Sequence, residues 1–190
     1  GAGIGVFPGL MPQAMANSSI YTGIEFDSIT GGILKQLFPD ERIRVESFID
    51  SQLPKNFYDV AAGNPPFNNT AILADPAYKK QAFALHDYFF AKSIDSVKPG
   101  GLVMFVTSRY TMDKQSDRAR KYLGDRADLL GAIRLPQTAF KDNAGTEVVT
   151  DILFLRKRMP GDAPAGEAWM ASTEQKIDKE AFKHPTVNEY

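Results

Sequence analysis

The stretch Phe57-Tyr58-Asp59-Val60-Ala61-Ala62-Gly63-Asn64-Pro65-Pro66-Phe67 decides how this chain reads. A mostly apolar run ends in glycine and meets two prolines, which fix φ, remove two backbone donors and force an extended corner. The first carbonyls of that corner are not taken up by a sheet or helix. The Asn64 amide and the Pro65 carbonyl, left facing outward at a strand end, form a paired acceptor suited to an incoming planar NH2 group. Phe67 stands beside it as a stacking face. An ordinary turn after a strand is the competing reading, since Asn and Pro are common turn residues. The surroundings of the motif decide against it.

Those surroundings run in a fixed order. The chain opens Gly1-Ala2-Gly3-Ile4-Gly5-Val6-Phe7 and continues through Tyr21-Thr22-Gly23-Ile24-Glu25-Phe26-Asp27 into Asn64-Pro65-Pro66-Phe67 and later Leu135-Pro136-Gln137-Thr138-Ala139-Phe140. Read together, residues 1 to 157 resemble the S-adenosylmethionine-dependent adenine-N6 DNA methyltransferases, in the gamma order with the cofactor loop first. Each glycine motif alone is a weak signal, whereas the combination is specific. The resemblance implies a Rossmann-like class I methyltransferase fold: an α/β domain with a mostly parallel twisted sheet closed by a C-terminal antiparallel strand pair. It also implies S-adenosylmethionine as cofactor, DNA as substrate and a place in restriction-modification.

Composition permits this. A chain of 190 residues with 43% hydrophobic and 24% charged residues is an ordinary globular domain. With no cysteine there is no disulfide framework and no Cys-based zinc site, which agrees with a cytoplasmic setting. Two histidines make metal catalysis an unfavoured reading, and no metal site is expected. The 22 basic residues meet 23 acidic ones, so the surplus needed for phosphate contacts is absent from the chain as a whole. Any grip on DNA is therefore expected to be local or to lie outside this chain, and the resemblance implies target-recognition or helicase regions of the same polypeptide for it. The local basic cluster Arg109, Lys114, Arg118, Arg120, Lys121 and Arg126, interleaved with Asp113, Asp117 and Asp125, reads better as a solvated helix face. No run of apolar residues is long enough for a membrane span.

Along the chain, helices are expected over 8–17, 27–38, 79–97 and 113–123, and strands over 20–25, 43–48, 57–62, 102–106, 129–135 and 148–156. Leu102 to Val106 reads as a strand buried on both faces near the sheet centre. The connection from Pro136 to Thr146 reads as a functional loop. A glycine-rich cofactor loop normally follows a strand, so the first strand of the sheet is expected to be missing from this stretch. Residues 1–157 are expected to form the catalytic core and 158–190 a linker and tail, with Trp169 packing back onto the core. Similar cores are embedded in large methylase-helicase proteins of mobile elements.

Gly3 and Gly5 let backbone approach a ligand closely, with Ala2 small enough not to obstruct. Glu25, about twenty positions after the loop at a strand end, is placed to hold two ribose hydroxyls, while Asp27 is explained as a helix cap. Phe26 is a candidate to flank the cofactor's adenine. The family often carries an acid followed by Phe after the third strand; here Ser47 precedes Phe48, so Phe48 matches, and Glu46 or Asp50 is the candidate substitute acid, Asp50 being the one named. For the target, acceptors on both N–H bonds of adenine N6 favour its pyramidal, attacking form, and Asn64 and Pro65 supply them. A base in a duplex must flip out to reach such a pocket, where Phe67 is the first stacking platform and Phe140 the second. Pro66 completes the corner. His86 reads as a polar position on an amphipathic helix. Methylation of protein glutamine amides or guanine N2 in RNA, and a non-catalytic module of this fold, are the rival functions.

Overall fold

The computed structural model of the chain describes residues 1–141, 145, 148–174, 186–188 and 190. They divide into two compact units, one of residues 1–53 with 62–64 and one of residues 54–61 with 65–190.

The first unit begins with the glycine turn and two one-turn helices, α1 (Val6–Gly9) and α2 (Gln13–Ala16). The single helix expected over 8–17 is thus interrupted. Pro12 cannot donate, and its carbonyl instead accepts the Met15 and Ala16 amides to start α2. Strand β1 (Thr22–Glu25) pairs in parallel with β2 (Arg42–Val45), from Thr22 opposite Arg42 to Glu25 opposite Val45. The crossover is α3 (Ser28–Leu37), whose N-cap is Asp27: its carboxylate accepts the Thr30 amide at 2.7 Å. That bond, with the Thr30 side chain foremost, holds the Asp27 carboxyl below the usual carboxylate range. Leu34 on α3 is fully buried, which stabilises the unit by roughly 1.5–3 kcal/mol.

The second unit is built on a four-stranded sheet in the order β3-β4-β6-β5. The strands are β3 (Tyr58–Gly63, whose last two residues belong to the first unit), β4 (Val97–Ser108), β5 (Ala127–Leu135) and β6 (Thr150–Lys157). β6 is antiparallel to both β4 and β5, the expected C-terminal pair. β4 is interior, as its apolar run requires, but its burial alternates. Val103, Phe105 and Thr107 are sealed, whereas Leu102, Met104 and Val106 are half-buried.

Helix α4 runs only over Leu85–Ser96, not from Lys79. Ala82 sits at φ 46°, a left-handed conformation no helix interior accepts. The chain before it doubles back instead, with the Ile72 amide bonded to the Phe83 carbonyl. α4 is buried on nearly every side, so its polar groups need partners. Tyr88 and Lys92 both donate to Asp75, at 2.7 and 3.2 Å. Tyr78 and Tyr122 donate to Asp95, and burial, then Asp95, pushes both phenols up.

The helix expected over 113–123 is likewise two pieces, α5 (Tyr110–Asp113) and α6 (Arg118–Gly124). Arg134 on β5 grips Asp151 with two nitrogens and Asp113 with one, at 2.8–2.9 Å. Arg120 is no solvated cation: it is 1% exposed and donates to the Met112 carbonyl at 2.8 Å. Trp169 is 2% exposed, and the neighbouring Met170 carbonyl accepts Arg120 Nε at 3.0 Å, so this part of the tail packs back onto the core. Two short antiparallel strands complete the unit, β7 (Ser172–Glu174) and β8 (Thr186–Asn188). Residues 142–144 and 146 of the expected functional loop lie outside the described residues.

Candidate active site

In the first unit the glycine turn is fastened to the end of β1. The Ala2 amide donates to the Ile24 carbonyl at 2.9 Å and the Gly3 amide to Glu25 Oε2 at 2.8 Å. The other Glu25 oxygen accepts the Asp27 amide at 3.0 Å. Glu25 is 9% exposed, and each oxygen keeps acceptor capacity beyond its one backbone partner. The two working glycines differ in kind. Gly3 has φ 59° and open space where a Cβ would be, room for a ligand to approach its backbone. Gly5 has φ 96°, and a Cβ there would lie 2.3 Å from a Phe38 ring carbon, so it is needed to let the turn pack on α3 and its flank.

Asn64 comes to the same place. A Cβ on Gly1 would stand 3.6 Å from the Asn64 carbonyl oxygen, so the glycine turn and the start of the Asn-Pro-Pro-Phe motif are neighbours within this unit. Asn64 is exposed. Phe26 is 76% exposed at the end of β1, an aromatic face with no covering. After β2 the chain makes a tight turn in which the Ser47 hydroxyl accepts the Ile49 amide and the Ser51 hydroxyl donates to the Phe48 carbonyl. Phe48 is half-buried there and Asp50 is exposed, while Glu46 pairs with Arg44. Ser47 therefore serves the turn, leaving Asp50 the acid of this segment that faces solvent.

In the second unit Pro65 is buried and Phe67 is 38% exposed. Phe67 lines a hollow of about 380 Å³ with Asn68, Asn69, His86, Ser108 and Tyr110. His86 and Tyr110 were not legible as pocket residues: His86 sits on a helix whose sequence suggests a solvated face, and Tyr110 follows a strand end. Phe140 is half-buried in the turn after β5 and is not among the residues around this hollow. Among the described residues no group of acidic side chains and histidines is arranged to hold a metal ion, and no helix is long and apolar enough to cross a membrane.

Residues 23–138 match the model of the Eco57I restriction-modification methylases. The chain belongs to that family. It is 31% identical over 162 residues to the "Defense against restriction protein B" of Escherichia phage P1, an alignment covering 82% of the chain and 7% of the phage protein. The chain thus spans a small part of that relative's length. Among solved structures it resembles a putative class I S-adenosylmethionine-dependent methyltransferase from Listeria monocytogenes, with a TM-score of 0.62 at 19% identity over 78% of this chain and 47% of that one. It also resembles the M protein of the type I restriction enzyme EcoKI, with a TM-score of 0.57 at 19% identity over 80% of this chain and 34% of that one. A modification subunit of a putative type I restriction enzyme from Vibrio vulnificus gives 0.59 at 17% identity over 73% and 33%. These likenesses establish the Rossmann-like class I methyltransferase fold. For a methylase family on this fold, S-adenosylmethionine is the expected cofactor.

Proposed function

We propose that this chain is the catalytic core of a DNA methyltransferase that moves a methyl group from S-adenosylmethionine to adenine N6. The observation that carries the reading is the meeting of three motifs in one small unit: the open backbone of Gly3, the Glu25 carboxylate bonded to it, and Asn64 beside Gly1.

The cofactor supplies an electrophilic methyl on a sulfonium. Ala2, Gly3 and Gly5 form the turn that receives its amino-acid part, with Gly3 offering the close approach. Glu25 uses the acceptor capacity left on its oxygens for the ribose hydroxyls. Phe26 and Phe48 flank the cofactor's adenine, and Asp50 accepts from that ring's amino group. On the target side Asn64 Oδ1 and the Pro65 carbonyl accept the two N6 hydrogens, directing the nitrogen lone pair toward the methyl. Pro66 keeps the corner extended, and Phe67 stacks on the flipped base. Phe140, which stands outside the Phe67 hollow, is the second aromatic proposed to reach the extruded base. The amino group needs alignment more than proton transfer before it attacks, so no histidine or cysteine is required for chemistry. With a net charge of −1, the core relies on further regions of its polypeptide, target-recognition or helicase in kind, to grip DNA.

The test is incubation of the full-length protein with labelled cofactor and a mixture of DNA, RNA and protein, followed by digestion and mass spectrometry. Label on N6-methyladenine in DNA supports the reading. Label on glutamine or on guanine N2 instead assigns the same paired acceptor to another planar amino group, and no transfer to any of them favours a non-catalytic module.

A further inference from the structure

Asn68, the residue after Phe67, is held more firmly than its exposure suggests. Its side-chain oxygen accepts both the Thr70 amide and the Thr70 hydroxyl at 2.7 Å, a local turn. Its carbonyl receives two donors from the start of α4, the Leu85 amide at 3.1 Å and His86 Nδ1 at 3.1 Å. A carbonyl only accepts, so Nδ1 carries the hydrogen. In the neutral ring that leaves Nε2 a bare acceptor. Nε2 is buried without a hydrogen-bond partner, lying 3.6 Å from Asp87 Oδ1, which itself accepts the Thr111 hydroxyl at 3.2 Å. His86 is 1% exposed, yet it is part of the wall of the hollow that Phe67 also lines. A solvated helix position would have neither the burial nor the bond.

We propose that His86 is a positioning residue of the target pocket: through Nδ1–H it fixes the Asn68 carbonyl and thereby the place of the Phe67 ring. The inference rests on the adenine-methylation reading, because only a stacking role gives the position of Phe67 a kinetic consequence. His86 acts through the loop and takes no proton from the substrate. Its loss falls on target binding and alignment and leaves cofactor binding alone. The two nitrogens are separable by substitution. An Asn amide nitrogen stands where Nδ1 stands, whereas the Gln amide reaches the position of Nε2.

The experiment uses the full-length protein with unmethylated DNA from a methylation-deficient host, comparing His86→Asn, His86→Gln and His86→Leu with wild type. Hydrogen exchange is followed in a loop peptide spanning 67–72 and in a reference peptide of β4 spanning 102–107. Methyl transfer is followed against DNA concentration at saturating cofactor. The expected result is that His86→Asn keeps the loop protected and kcat/KM within about threefold, while His86→Gln and His86→Leu exchange about tenfold faster in the loop alone and lose about tenfold or more in kcat/KM at unchanged cofactor affinity. Wild-type behaviour of His86→Gln with failure of His86→Asn would overturn the proposal by making Nε2 the working nitrogen. So would unchanged loop exchange in all three variants, or equal loss of protection in β4, which marks a merely structural ring. Failure of the methylation reading looks different: wild type leaves adenine unmodified, while the exchange pattern still decides what His86 holds.

Discussion

The Gly3 amide donates to Glu25 Oε2 at 2.8 Å, so the acid proposed to hold the cofactor's ribose also fastens the turn proposed to hold its amino-acid part. The other oxygen binds the Asp27 amide, and the carboxylate ties together the turn, the end of β1 and the start of α3. One substitution therefore disturbs both ends of the ligand's cradle.

Glu25→Ala is expected to weaken S-adenosylmethionine binding by roughly 1.5–3 kcal/mol, the scale of hydrogen bonds to a charged group, with Glu25→Gln in between. Asp27→Ala removes a helix cap and is expected to lower the melting temperature with little change in affinity. Titration calorimetry beside thermal melting checks both. Affinity lost with Asp27→Ala and kept with Glu25→Ala would reverse the assignment of the two acids.

The glycines separate in the same way. Gly5→Ala places a methyl 2.3 Å from Phe38 and 2.8 Å from Leu34, and is expected to cost about 1–3 kcal/mol of stability. Gly3→Ala meets no protein atom, so its folding cost is limited to about 1–2 kcal/mol of left-handed strain, and its main effect falls on cofactor affinity. Denaturant unfolding with calorimetry distinguishes the two.

Much of the local backbone was legible because the chemistry constrains the chain locally. Two prolines after Asn64 permit few conformations, a glycine turn announces itself, and Asp27 caps α3 as its residue type suggests. Tertiary context decided what remained. Pro12 and the left-handed Ala82 cut helices that periodicity alone would extend. The polar letters of α4, His86, Asp87, Lys92 and Ser93, look solvated in sequence. His86, Asp87 and Lys92 are buried because the Asn68 carbonyl, Thr111 and Asp75, all distant in sequence, provide partners. Arg120 misled for the same reason, its charge spent on carbonyls 8 and 9 residues back and on the Met170 carbonyl.

Arg134→Ala is expected to destabilise the second unit by about 3 kcal/mol, because it leaves Asp113 and Asp151, each 3% exposed, without their shared cation. The Arg134 side chain is itself 42% exposed, which keeps the loss at the lower end for broken buried pairs. Chemical denaturation of the variant measures it, and a loss within the range of an ordinary surface ion pair, under about 1 kcal/mol, would contradict the account.

Asp87 gives a pH dependence. Burial raises its carboxyl above the usual range, against smaller lowering from Lys114 and the Thr111 hydroxyl. The folded state therefore holds this proton more tightly than the unfolded chain does. That contribution to stability is fully present below the unfolded carboxyl pKa of about 4 and is lost as pH rises through the folded value. Asp87→Asn, which keeps an acceptor for Thr111, is expected to remove this part of the decline. A melting-temperature profile from pH 4 upward that is identical in both proteins would show that the carboxyl does not titrate as described.

The most direct test of the central claim is quantitation of N6-methyladenine in DNA methylated by the full-length protein, wild type against Asn64→Ala, with cofactor affinity measured on both. The account predicts abundant N6-methyladenine from wild type, none from Asn64→Ala, and cofactor affinity equal within about twofold, since the Asn64 amide acts on the incoming amino group in the chemical step. N6-methyladenine formed equally by Asn64→Ala, or label from the wild type found only on another acceptor, would contradict it.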